Sequence, residues 1–188
     1  MTSPNADDLG PLKTLVGTFE GTIGDDVAPS DDRGTENNKY REVIIFTHIL
    51  PAGNHEQTLH TVRYHQMAFR HGEEFPFHDQ VGYWHWDAKA KQVIQSLTIP
   101  RGMVALAGGS AEHDSKSLHL KAELGSKTFG IASNPFLDKE FQTVGYEIKM
   151  TFHEGESFTY DQVTKIQIKG QPKVFEHRDK NTLKKVDH

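Results

Sequence analysis

Along this chain apolar residues recur at every second position in short runs, and clusters of turn formers separate the runs. Residues 43–46, 59–69, 81–86, 93–99, 103–107, 118–124, 141–152 and 158–168 read as strands. Between them stand turn segments at 51–54, 87–90, 100–102, 108–110 and 154–156. A first strand is predicted over 18–23, and the stretch from Pro11 to Leu15 before it could form one helical turn closing a barrel end. Short strands at hairpin spacing predict an all-β fold: a closed antiparallel β-barrel, with a β-sandwich as the architecture that periodicity alone does not separate from it.

The same alternation assigns a wet and a dry face to each strand. Leu118, Leu120, Ala122 and Leu124 share one side, against His119, Lys121 and Glu123. Val144, Tyr146, Ile148, Met150 and Phe152 alternate with Thr143, Glu147, Lys149 and His153. Polar groups also fall on the mainly apolar faces. Gln95 is in phase with Val93, Leu97 and Ile99, and Gln162 and Thr164 are in phase with Phe158, Tyr160 and Ile166. Thr61, Arg63 and His65 lie among apolar neighbours in 59–69. Buried polar groups need partners, so such a set implies a ligand in the cavity, or ordered water in an empty one. Two segments break the pattern, an acidic one at 25–39 and one at 127–139 containing Gly130, Ser133, Asn134 and Pro135. Both are predicted as long loops, placed at a barrel mouth or as surface excursions.

At 188 residues the chain fits one domain over 1–188, with the polar start, 1–10, expected to be flexible. No apolar run approaches a membrane span, and the start lacks the basic-then-apolar pattern of a secretion signal, so a cytoplasmic home is expected. With 21 basic and 26 acidic side chains the net charge is −5, which argues against a nucleic-acid partner. The basic tail (Lys173, Arg178, Lys180, Lys184, Lys185) alternates with Glu176, Asp179 and Asp187 and reads as a solvated face. The absence of cysteine excludes disulfides, thiol catalysis and thiolate metal sites.

There are twelve histidines but no His-x-His, and His60 and His65 differ in parity, as do His78 and His85. A multi-histidine metal site is therefore poorly supported. No Gly-x-Ser-x-Gly, phosphate-cradling glycine loop or His-Glu-x-x-His occurs. His177 stands apart, in phase with Phe175 near the end of the chain, where a closing strand could aim it into the cavity. One known use of a solitary imidazole is axial ligation of haem iron; a structural or surface role is the alternative.

The order Leu12, Leu15, Gly17-Thr-Phe19-Glu-Gly21, Tyr40-x-Glu42-x-Ile44-x-Phe46, Phe77-His78 and Gly82-Tyr83-Trp84 resembles the nitrobindin family. The resemblance continues through Gln95, the stretch 98–109 and Phe175-x-His177. It implies a fatty-acid-binding-protein-like barrel of about ten antiparallel strands holding haem b. It further implies that His177 ligates the iron, while His78 and Gln95 look toward the open side of the haem. Peroxynitrite isomerisation to nitrate and nitric oxide binding at ferric iron are the activities so implied. The sequence departs from the family pattern at Phe19, which stands where the family has Trp, at the last glycine of that motif, displaced to Gly24, and at His177-Arg178, where the family has His-Leu. Segment 25–39 is also longer than usual. A different reading is a non-haem carrier of a fatty acid or other small apolar ligand, with Arg63 meeting a carboxylate. A third is a barrel serving as scaffold, marked by an exposed apolar patch. Oligomeric state is left open, a homodimer included.

Overall fold

Eleven strands close on themselves in the computed structural model, which describes residues 5–187. They are β1 (Gly17–Pro29), β2 (Thr35–Gly53), β3 (Thr58–Arg70), β4 (His78–Asp87), β5 (Gln92–Ile99) and β6 (Met103–Ser110), then β7 (Ser117–Leu124), β8 (Gly130–Ser133), β9 (Phe141–His153), β10 (Ser157–Ile168) and β11 (Phe175–Val186). Around the barrel the order is β1-β11-β10-β9-β7-β8-β6-β5-β4-β3-β2, and β1 returns to β2. The all-β barrel thus holds, with eleven strands instead of about ten.

The sheet is mixed, not wholly antiparallel, because of one short strand. β6 and β7 meet only at Gly108 and Lys121, and β8 fills the gap between them, antiparallel to β6 and parallel to β7. It supplies partners for backbone groups that would otherwise be left open. Four residues are too few to display a period of two, so 127–139 reads as loop in the sequence. The same segment holds a helical turn, α1 (Pro135–Glu140), begun by Asn134, whose Oδ1 accepts from Phe136 N and Leu137 N.

Segment 25–39 is a hairpin instead of a long loop. β1 and β2 run through it, paired from Asp25↔Lys39 to Pro29↔Thr35. The turn between them is held by Asp32, whose Oδ1 accepts from Ser30 Oγ (2.6 Å) and Gly34 N (3.0 Å). Hydrophobic alternation fails to announce these strand ends because the barrel interior at this end is polar.

At the opposite end the predicted helical turn is present as a 3-10 helix, Ala6–Leu15, begun by Asn5, whose Oδ1 accepts from Asp7 N. Of the start expected to be flexible, residues 1–4 lie outside the described residues. Residues 5–8 are exposed, and beyond them Leu9, Leu12 and Leu15 are wholly buried and plug the barrel. Gly10 (φ +54°) kinks this helix against Trp86, where a Cβ would sit 2.5 Å from the indole nitrogen. Above the plug lies an aromatic layer of Phe19, Phe46, Phe158, Tyr64 and Trp84, with neighbouring ring centroids 5.1 to 6.4 Å apart.

Arg63 and His65 are not inside the barrel. Val62, Tyr64 and Ala68 take the inner face of β3, and Arg63 and His65 help line a groove of about 980 Å³ bordered by Ile45, Tyr83, Val104 and Leu106. Ile45, Tyr83, Val104 and Leu106 are all partly exposed, so this hollow lies on the outer surface of the strands. Thr61 shares their parity but is covered, its hydroxyl 3.0 Å from His85 Nδ1. A carboxylate inside the barrel would therefore not meet Arg63. Because Leu12 fills a closed end that cannot readily collapse, Leu12→Ala should lose about 2–5 kcal/mol of unfolding free energy. Urea titration checks this.

Candidate functional site

Barrel closure pairs β1 with β11, and the register sets Asp26 directly opposite Asp179. His177 lies two residues before Asp179, on the same inward face. Its Nε2 donates to Asp26 Oδ1 at 2.8 Å and lies 3.5 Å from Asp179 Oδ2. Asn38, from β2, donates to the other oxygen of Asp26 at 3.0 Å. The side chain of Asp26 is 2% exposed, that of Asp179 19% and that of His177 28%. His78, from the start of β4, faces the same cavity, whose volume is about 160 Å³. Tyr40, Glu42, Gln66 and Gln162 form its inner wall.

Glu42 is 1% exposed. It accepts from Tyr160 Oη at 3.0 Å, Asn181 Nδ2 at 2.9 Å and Gln66 Nε2 at 2.6 Å. Tyr40 Oη lies 2.7 Å from Tyr160 Oη, and its ring passes over Gly24, where a Cβ would stand 2.5 Å away. The displaced glycine noted in the sequence thus makes room for a tyrosine that faces the cavity. The network continues inward. Gln80 Nε2 donates to Gln66 Oε1 (3.2 Å) and to Tyr64 Oη (2.7 Å), and Gln95 Nε2 donates to Tyr64 at 3.3 Å. Tyr146 Oη lies 2.9 Å from Gln95 Oε1 and 3.0 Å from Gln162 Oε1, and Gln162 Nε2 donates to Asp179 at 3.3 Å.

Of the three residues that the sequence singled out, His78 and His177 share the cavity. Gln95 does not line it. It sits one layer deeper, beside a central space of only about 10 Å³, and reaches the cavity through Tyr146 and Gln162. Gln162 faces inward as parity predicts, and Thr164, opposite His177, is half-buried. Asp26, Glu42, Asp179 and Asn181 were not anticipated as site residues. The legible signal was alternation: His177, Asp179, Asn181 and Leu183 share one face, and Tyr40, Glu42, Ile44 and Phe46 another.

Burial and pairing set the charges. Burial pushes Glu42 up to about 7, against its three neutral donors, with Asp179 adding in the same direction. Burial likewise raises Asp179, partly offset by His177. For Asp26, burial acts upward, but hydrogen bonds from His177 and Asn38 hold it below the usual carboxylate range. For His177, burial favours the neutral ring, yet Asp26 and Asp179 raise it above the usual imidazole value. His78 is lowered, first by burial and then by the charge of His177. The basic side chain at the rim, Arg70, is engaged with the Phe77 ring (4.7 Å) and Glu36 (3.8 Å). The cavity thus gathers carboxylates, two of which burial pushes toward their protonated forms, beside Arg70 and two histidines.

A family model described as THAP4-like, heme-binding beta-barrel domain matches residues 8–185. Among solved structures, Rv2717c from M. tuberculosis is similar, with a TM-score of 0.70 and 19% identity over 99% of this chain and 100% of that one. At that identity the likeness is one of fold. No curated protein matches the chain.

The unfolded chain releases the Glu42 proton near 4.5, whereas the folded protein holds it to about 7. Between those values the folded state binds more protons, so stability falls as pH rises, by roughly 3 kcal/mol at about 1.4 kcal/mol per unit. His177, also raised, acts in the same sense and loses its contribution as pH rises through its folded value. Glu42→Gln should reduce the pH dependence of denaturant stability between pH 4.5 and 7 and leave the parts due to Asp179 and His177.

Proposed function

Since the chain belongs to the THAP4-like heme-binding β-barrel family, the nitrobindin family that its motifs resemble, we propose that it is a ligand-binding barrel. The ligand enters at the end carrying His78 and His177, and it is small, polar and positively charged. One observation carries this reading: Asp26, Glu42 and Asp179 converge on a cavity of about 160 Å³, where His177 is bonded to Asp26 and Arg70 is held by Phe77 and Glu36. Buried charge calls for a counter-charge.

Haem is the ligand that family membership supports, and the family is haem-binding. In the arrangement described, these residues do not fit a porphyrin held by His177. The cavity is smaller than the roughly 300–1,000 Å³ of pockets for drug- or cofactor-sized ligands. The imidazole nitrogen that would face iron is turned to Asp26 and Asp179. Its wall mixes carboxylates and amides with Ala28, Tyr40, Ala68, Phe77 and Tyr160. The deeper interior offers about 10 Å³ among Tyr64, Trp84, Met150 and Tyr160.

Haem b with peroxynitrite conversion and nitric oxide binding at ferric iron is the second reading. Family membership and the shared cavity of His78 and His177 favour it. It requires the Asp26–His177 pair to open and the cavity to widen.

Absorption titration with hemin separates the two readings. We expect no saturable Soret band that depends on His177; a one-to-one band lost in His177→Ala would establish the haem reading instead. For the first reading, ethylammonium should shift the imidazole NMR signals of His78 and His177 while acetate leaves them in place. Equal shifts from both ions would remove the preference for a cation.

A further inference from the structure

We propose that the groove on the outer surface of β2 to β6 and β8 binds a small amphiphile, with Arg63 holding an anionic head and an unbranched alkyl tail lying across the strands. The groove is separate from the cavity at the barrel mouth and much larger, about 980 Å³ against about 160 Å³. It falls within the roughly 300–1,000 Å³ of ligand pockets. Strand register builds its floor. Thr47, Arg63, Tyr83, Ser96 and Leu106 are paired in one continuous row from β2 to β6. Ile45, Val81 and Val104 stand in the row beside it, and with Tyr83 and Leu106 they are 39–47% exposed. Apolar residues scattered singly over a surface are ordinary, but a contiguous set marks a binding surface. From β3 to β8 the groove spans roughly 19 Å at 4.7–4.9 Å per strand, and Gly130 and Ala132 leave its far end open.

Charge complementarity decides what lies there. The chain is acidic overall, yet among the described residues no Asp or Glu lines the groove. Both cross-strand partners of Arg63, Thr47 and Tyr83, are hydroxyl side chains. Arg33, Arg41, Arg70 and Arg178 each meet a carboxylate or an aromatic ring, whereas Arg63 has no such partner among the described residues. His65, the other basic side chain in the groove, is held by Asp79 at 3.1 Å. A guanidinium beside apolar surface favours a planar anion with two oxygens, such as a carboxylate, which it meets through two parallel hydrogen bonds. A second copy of the chain fits less well. Packed on this face about a two-fold axis, it would present the same acid-free patch and leave both guanidinium groups unpaired.

The test titrates the full chain with monomeric dodecanoate, by calorimetry and by NMR of side-chain signals. One equivalent should bind and shift the methyl signals of Val81, Val104 and Leu106, leaving the imidazole signals of His78 and His177 in place. Arg63→Gln should weaken binding about tenfold or more, as loss of a charge-assisted pair predicts. Leu106→Asp, which puts an acid on the tail's path, should weaken it likewise. Lys149→Gln, on the outer surface of β9 beside Glu147, should leave it unchanged. Dodecyltrimethylammonium, with the same tail and the opposite charge, should bind more weakly than dodecanoate. Absence of saturable binding, full affinity in Arg63→Gln, or equal binding of the two amphiphiles overturns the proposal. Shifts confined to His78 and His177 overturn it too, and place the ligand in the cavity. Sedimentation showing a dimer that Leu106→Asp dissociates, with no dodecanoate bound, assigns the face to a second copy instead.

Discussion

The seam between β1 and β11 sets one carboxylate against another, and much of the cavity end is arranged around that pair. Asp26 and Asp179 oppose each other in the register by which the last strand closes the barrel. His177 is drawn to them, and its Nε2 donates to Asp26 instead of standing as a bare nitrogen in the cavity. Asn38 and Gln162 complete the acceptor needs of the two aspartates from neighbouring strands. Membership of a haem-binding family is thus joined here to carboxylate surroundings for His177.

Polarity is graded along the barrel axis. Leucines close one end, aromatic rings fill the middle, and amides, tyrosines and carboxylates occupy the rest. Buried polar networks are stabilising when every member is satisfied and costly when one is not. From Gln66 to Asp179 a chain of side-chain polar contacts runs through Gln80, Tyr64, Gln95, Tyr146 and Gln162, with the single Tyr146 proton facing the oxygens of both Gln95 and Gln162. The deep interior is consequently filled by the protein itself, and space for a ligand is left near the mouth. Glu42 is the costly member, since burial opposes its charge and its donors are neutral.

The fold was legible wherever one strand face is apolar and the other wet. Leu118, Leu120 and Ala122, or Ile148 and Met150, are buried as their alternation predicts. Gln95 was correctly placed inside because its neighbours in phase are aliphatic. Arg63 and His65 were misplaced because both parities of that strand carry apolar residues, and only packing against Tyr64 and Val62 decides which face turns inward. Strand ends at 25–29 and 35–39 were lost for a related reason: apart from Ala28 their cavity-lining residues, Asp26 and Glu36, are polar, so little contrast between faces remains.

By itself, then, the sequence determined a β-barrel with a plugged end, the family resemblance, and the candidacy of His177 and His78. These depend on local periodicity and on residue order, which a single chain displays directly. Only the tertiary structure decided what His177 faces. Asp26 is 151 positions away from it, and their meeting depends on the register of the seam that closes the barrel. The same closure brings Glu42 beside Asn181 and Tyr160, and so decides that this cavity is small and lined by buried carboxylates.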